Sequence, residues 1–140
     1  MARMNTGRLI LGGLVAGVVA NGLDYVINAF LMKREMDDMI QRLNLNQIVV
    51  NDSMLTWVIV DFVWGLLLVF TYAAMRPRFG PGPKTAVVSG ATLWIAACAM
   101  FAGLASMGIY TEQAFIKSAA LTFVSTMAAS LVGAAIYKEE

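Results

Sequence analysis

The sequence predicts an all-α fold: an integral membrane bundle of four antiparallel transmembrane helices, with a short interfacial amphipathic helix between the first and second spans. Three observations lead there. Apolar residues make up 59% of the chain and charged residues only 14%, against roughly 45–50% and about 25% in soluble domains. Four stretches, residues 9–31, 55–75, 86–110 and 115–137, each reach the ~20 apolar residues needed to cross a hydrocarbon core about 30 Å thick. Inside those stretches only Asp24, Asp61 and Lys117 are charged. Backbone polar groups in lipid must be paired within the segment, so spans of this length are helices, and they lack the strict alternation of barrel strands. Residues 1–140 read as a single transmembrane domain.

The same composition excludes several function classes. A mean hydropathy of +0.71 fits neither a disordered chain nor a nucleic-acid binder. The chain has no histidine, which removes His-ligated metals, a Ser-His-Asp triad and a histidine pH switch. Cys98 is the only cysteine, so no disulfide framework exists. Gly12-Gly13 lies inside an apolar span rather than between a strand and a helix, and is no phosphate loop. The expectation is a non-enzyme without metal or cofactor, its ten methionines serving as adaptable packing.

The first span begins after Arg3 and Arg8, and Val18-Val19-Ala20 resembles a small-residue cleavage site. The apolar stretch continues well beyond Ala20, so it is read as a membrane helix and not as a cleaved leader. In the connection that follows, Met36, Met39, Ile40 and Leu43 recur at i, i+3, i+4, i+7, with Lys33, Arg34, Asp37, Asp38, Gln41 and Arg42 in other directions. That pattern predicts a helix over about 33–44, lying in the membrane interface or packed on a partner protein. Pro77, Pro81 and Pro83 interleave with Gly80 and Gly82 and mark the turn between the second and third spans. Thr111-Glu112-Gln113-Ala114 is short enough to force the last two spans antiparallel.

Basic residues set the orientation. The termini and the second connection share Arg3, Arg8, Arg76, Arg78, Lys84 and Lys138, and the opposite side has Lys33, Arg34, Arg42 and Lys117. Both termini are therefore expected in the cytoplasm. The run Arg76-Pro77-Arg78-Phe79-Gly80-Pro81-Gly82-Pro83-Lys84 then lies at the cytoplasmic edge, where Arg76, Arg78 and Lys84 suit anionic lipid headgroups.

A charge in hydrocarbon costs at least ~2.5–3.5 kcal/mol on insertion scales, which makes Asp24 and Asp61 the most informative residues. Counted from the middle of each span, both fall roughly 6 Å outside the midplane, at one depth on neighbouring helices. Asn21, Asp24, Tyr25 and Asn28 form one polar stripe at i, i+3, i+4, i+7. Trp57, Asp61 and Trp64 share a face of the second span, and Ser118, Thr122, Ser125 and Thr126 lie on the fourth. These stripes are expected to face the bundle interior, as hydrogen-bond partners between helices or as a proton-exchanging carboxyl pair. Lys117 is expected to snorkel outward, with a salt bridge to Asp24 or Asp61 as the alternative. Gly13 and Gly17 form a GxxxG, Ala129 and Gly133 repeat the spacing, and both suit close helix packing.

The run from Tyr72 to Ala86, Tyr-Ala-Ala-Met-Arg-Pro-Arg-Phe-Gly-Pro-Gly-Pro-Lys-Thr-Ala, resembles a segment of a family of small bacterial four-helix integral membrane proteins. The opening run from Gly7 to Gly17 resembles that family's start. The resemblance implies a multi-pass protein of the bacterial inner membrane, and implies no activity, cofactor or site. Two function classes follow from the residues. The first is an accessory, structural subunit of a larger membrane complex such as a photosynthetic or respiratory assembly, in contact with lipids and other membrane subunits and with no nucleic acid. The second is a small proton-coupled transporter acting as a homodimer through Asp24 and Asp61, on a plan similar to the small multidrug transporters.

Overall fold

The structure is a computed structural model and describes residues 4–138. Helix α1 spans Thr6–Val26 and runs on through a π-helical turn, Ile27–Leu31. Two short helices follow, α2 (Lys33–Arg42) and α3 (Gln47–Asp52). Three long ones complete the chain, α4 (Met54–Phe79), α5 (Pro83–Ser106) and α6 (Glu112–Ile136). Among the described residues there is no strand. Four segments are long and apolar enough to cross a membrane: Thr6–Leu31, Gln47–Phe79, Pro83–Ser106 and Glu112–Ile136.

Local chemistry sets the ends of these helices. Asn5 caps α1 by accepting the Arg8 N–H at 2.9 Å, and Thr111 caps α6 by accepting the Ala114 N–H at 3.2 Å. The π turn has a visible cause. The Asn28 side-chain amide donates to the Asp24 carbonyl at 2.8 Å, so it shares an acceptor of the helix ladder, and Met32 N–H then reaches back to the Ile27 carbonyl at 2.7 Å.

Two boundaries differ from expectation. The second span continues through Pro77 to Phe79, because a proline in the last turn removes only one ladder bond. It stops at Gly80, whose φ of +83° suits glycine. The turn beyond is held by the Gly82 N–H donating to the Tyr72 hydroxyl at 3.1 Å and the Thr85 hydroxyl donating to the Gly80 carbonyl at 2.7 Å. The third span ends at Ser106, not at residue 110, since Gly108 turns the chain at φ +80°. The long connection also holds a second helix, α3, which the amphipathic pattern did not reveal.

Helix α1 packs most extensively on α4 and then on α6, while α5 lies chiefly on α6. Glycine makes the first of these contacts. A Cβ on Gly13 would fall 2.8 Å from Leu66 Cα, one on Gly17 2.9 Å from Phe62 Cα, and one on Gly65 2.8 Å from Gly17 Cα. Gly133 meets Val69 and Ala16 in the same way, and Gly12 meets the Gly133 carbonyl. In lipid, apolar burial between helices adds little, so this backbone approach and the dispersion contacts it permits hold the helices together. The buried core (Ala16, Ala20, Leu68, Val69, Tyr72, Ala73, Ala86, Ala129, Ala134 and Tyr137) collects at the end of the bundle that contains the α4–α5 turn. Buried hydroxyls tie that end across helices. Ser89 donates to the Leu68 carbonyl at 2.9 Å and Ser130 to the Ala86 carbonyl at 2.7 Å.

Gly65→Ala should therefore lower the thermal midpoint of the detergent-solubilised protein, with a loss of about 1–3 kcal/mol as for other overpacked interiors. Gly103→Ala, at a position where an added Cβ meets nothing within 4 Å, should leave the midpoint unchanged or raise it. Equal midpoints for Gly65→Ala and the parent protein would contradict the packing described.

Candidate functional site

The two intramembrane carboxyl groups lie against each other. Asp24 on α1 meets the Asp61 carboxyl of α4 and the Ser125 hydroxyl of α6. Their backbone positions are staggered along the helix axes. The neighbours Gly13 with Leu66 and Gly17 with Phe62, and the Asn21 amide donating to the Val58 carbonyl at 3.3 Å, fix the register of α1 on α4. Continued, that register places Asp61 beside residue 18 of α1, roughly 9 Å along the axis from Asp24 at 1.5 Å per residue. The Cα–Cβ bond of a helical residue tilts toward its own N-terminus. With α1 and α4 in this register the two tilts oppose, which carries the carboxyl groups toward each other. One oxygen, Asp24 Oδ1, is buried with no hydrogen-bond partner.

The polar stripe of α1 divides. Asn21 and Asp24 are half-buried and work between helices, and Asn21 also donates to its own Gly17 carbonyl at 3.0 Å. Tyr25 is 57% exposed, and Asn28 is exposed and bonded only within its own helix; neither joins the cluster. Trp57 is exposed, whereas Trp64 packs on the core. Of the hydroxyls on α6, Ser125 and Thr126 are buried, and Thr122 bonds back to the Ser118 carbonyl at 2.9 Å. The packing residues Gly13, Gly17, Ala129 and Gly133 all sit in close interfaces. At the other end, where α4 gives way to α5, Arg78 and Lys84 are exposed, while Arg76 is half-buried with its guanidinium 5.7 Å from the centre of the Tyr137 ring.

Lys117 pairs with neither aspartate. Its ammonium lies 2.6 Å from Glu35 Oε1, because α2 stands over the start of α6. That hydrogen bond holds the Glu35 carboxyl below its ordinary range. Arg42, one helical end away, donates to the Gly108 and Ile109 carbonyls, the latter at 2.7 Å, and satisfies acceptors left open where α5 stops. Between these two ties lies a polar hollow of about 340 Å³. A second hollow, lined by Ala102, Ala105, Ser106, Glu112 and Phe115, opens between the end of α5 and the start of α6. Neither is lined by Asp24 or Asp61.

Sequence reasoning missed Gly65 and the roles of Glu35 and Arg42, whereas Ser125 lies buried on the inward stripe expected of it. Gly65 had a signal: it lies four residues after Asp61, on the face that also presents Leu68 and Tyr72. The two ion contacts had none, since they join residues 82 and 66 or 67 positions apart. Among the described residues no three His, Cys, Asp or Glu side chains converge to hold a metal. No family model, curated protein or solved structure matches the chain.

A carboxylic acid and a carboxamide have the same shape, and each offers a donor and an acceptor. Asp24→Asn and Asp61→Asn should therefore keep the folded bundle, and Asp24→Leu or Asp61→Leu should cost about 1–3 kcal/mol by leaving a buried polar neighbour unpaired. Unfolding monitored by circular dichroism in detergent measures the difference. Leu variants as stable as the Asn variants would remove the carboxyl pair from the structural account.

Proposed function

We propose that this chain is a non-catalytic structural subunit of a larger assembly in the bacterial cytoplasmic membrane, built as four antiparallel spans with α2 in the interface. The contacts Gly13 with Leu66, Gly17 with Phe62 and Asn21 with Val58 support the antiparallel course of α1 and α4. Half-burial of Met36, Met39 and Ile40 beside exposed Lys33, Arg34, Asp37 and Asp38 supports an interfacial α2.

The observation that carries the assembly reading is the bareness of α5. Only 11% of its apolar window is buried, against 28–33% in the other three spans. Its later half exposes Ala96, Ala99 and Gly103 beside Met100 and Phe101. Small residues at this spacing admit a neighbouring helix at close range. Native mass spectrometry of protein gently extracted from its own membrane tests the proposal. Stable heteromeric complexes that dissociate on Gly103→Leu are expected; a bare monomer or homodimer would contradict it.

A proton-coupled transporter is the second reading, favoured by the contact of Asp24 with Asp61 and the unpartnered Asp24 Oδ1. The close α1–α4 backbones, and the absence of these residues from either hollow, favour the structural role. The basic residues Arg76, Arg78 and Lys84 at the facing ends of α4 and α5 support cytoplasmic termini, and the exposed side chains of Arg78 and Lys84 support contact with lipid headgroups. In a Cys98→Ala background, Thr6→Cys should resist an impermeant thiol reagent in intact cells, and ready labelling there would reverse the orientation.

A further inference from the structure

We propose that residues 32–46 form a flap, with α2 as its rigid arm, that swings away from the α5–α6 turn and opens the polar hollow beneath it. The two roots of the flap are neighbours. The register of α1 on α4, carried outward from Asn21 and Val58, sets Leu31 level with α3. The chain therefore leaves the bundle at the end of the π turn and returns to it beside the same place. Each root also carries a break in the backbone. Met32 has φ −106° and ψ 6°, outside the helical region, and Asn44 has φ +49°, a left-handed conformation that asparagine adopts more readily than most residues. Hinges are a few element-terminal residues of this kind, which absorb a change in φ and ψ.

The arm is held to the far side by long side chains. Helix α2 has no buried residue, and its backbone runs close chiefly to the π turn. Its ion pair of Lys33 with Asp37, at 3.1 Å, stays within the helix. Two ties cross to other helices: Lys117 donates to Glu35 Oε1 at 2.6 Å, and Arg42 donates to the Gly108 and Ile109 carbonyls. Between α2 and residues Tyr110, Thr111, Gln113 and Ala114 lies the hollow of about 340 Å³. A gap of that size removes the dispersion contacts that would otherwise press one element on the other. The Glu35–Lys117 pair is part-exposed, and ion pairs open to solvent add little. Closure also buries Glu35 Oε2 without a hydrogen-bond partner, which opposes the gain at Oε1. The closed position thus depends on a few polar contacts, and an arm whose backbone bonds are internal leaves as a unit. Opening uncovers the Lys117 ammonium and the two carbonyls beyond α5, and the flap controls access to the hollow.

The test uses the whole protein in lipid nanodiscs, with spin labels on Gln41→Cys and Leu131→Cys in a Cys98→Ala background. Both labelled positions are exposed, one on α2 and one on α6. Pulsed electron paramagnetic resonance then reads the distance from the arm to the bundle. The parent is expected to show a dominant closed distance and a minor, longer and broader one. Arg42→Met should raise the open population about tenfold, the ratio for losing one hydrogen bond to a charged group. Glu35→Gln should raise it less, and the double variant most. Lys33→Gln, which breaks only the pair inside α2, should leave the distribution unchanged. Backbone hydrogen exchange over residues 33–42 should stay slow in the double variant, because the arm remains helical. A double variant with the parent's distances would overturn the proposal. So would fast exchange throughout residues 33–42 in that variant, since α2 would then unfold instead of swinging.

Discussion

The close approach of α1 to α4 is the contact on which the rest of the structure depends. Gly13 and Gly17 on one helix and Gly65 on the other leave no room for a side chain between the backbones. A packed glycine interface of this kind has one register, since a slip along either helix drives a side chain into the facing backbone. That register brings Asp24 to Asp61 and Asn21 to the Val58 carbonyl. Helix α6 then fits against α1 through Gly12, Ala16 and Gly133, and supplies Ser125 to the carboxyl pair.

The bundle is held differently at its two ends. Near the α4–α5 turn, small residues, buried hydroxyls and the Tyr72–Tyr137 edge contact make a continuous core. At the other end, α5 and the start of α4 expose Leu55, Trp57, Ile95 and Met100, and polar ties do the holding. There Arg42 and the Glu35–Lys117 pair join α2 to the α5–α6 turn through long side chains. The carboxyl pair belongs to the side of α1 that faces its neighbours, and the polar hollow to the space between α2 and the α5–α6 turn. These are separate features with separate chemistry.

The four apolar helices were legible because length and hydropathy alone define them in lipid. So was the close packing at Gly13, Gly17 and Gly133. The way in which Asp24 and Asp61 meet was not legible. Counting from span centres set the two aspartates level, whereas the glycine register offsets them and the tilt of the side chains closes the gap. The ends of helices were obscured where a side chain intervenes. Asn28 widens α1 into a π turn, and Arg42 satisfies the carbonyls after α5. Tyr25 lies on the polar stripe by periodicity yet faces outward, because a four-residue stripe is wider than the interface that receives it.

The central claim is that α1 and α4 touch backbone to backbone at Gly17 and Gly65. Solid-state NMR on protein in lipid bilayers, with glycine Cα carbons labelled, measures this contact without detergent. A through-space correlation between Gly17 Cα and Gly65 Cα is predicted, with a second between Gly13 Cα and Gly65 Cα, and both should vanish on Gly65→Leu. Absence of the Gly17–Gly65 correlation in well-resolved spectra of the parent protein would contradict the account.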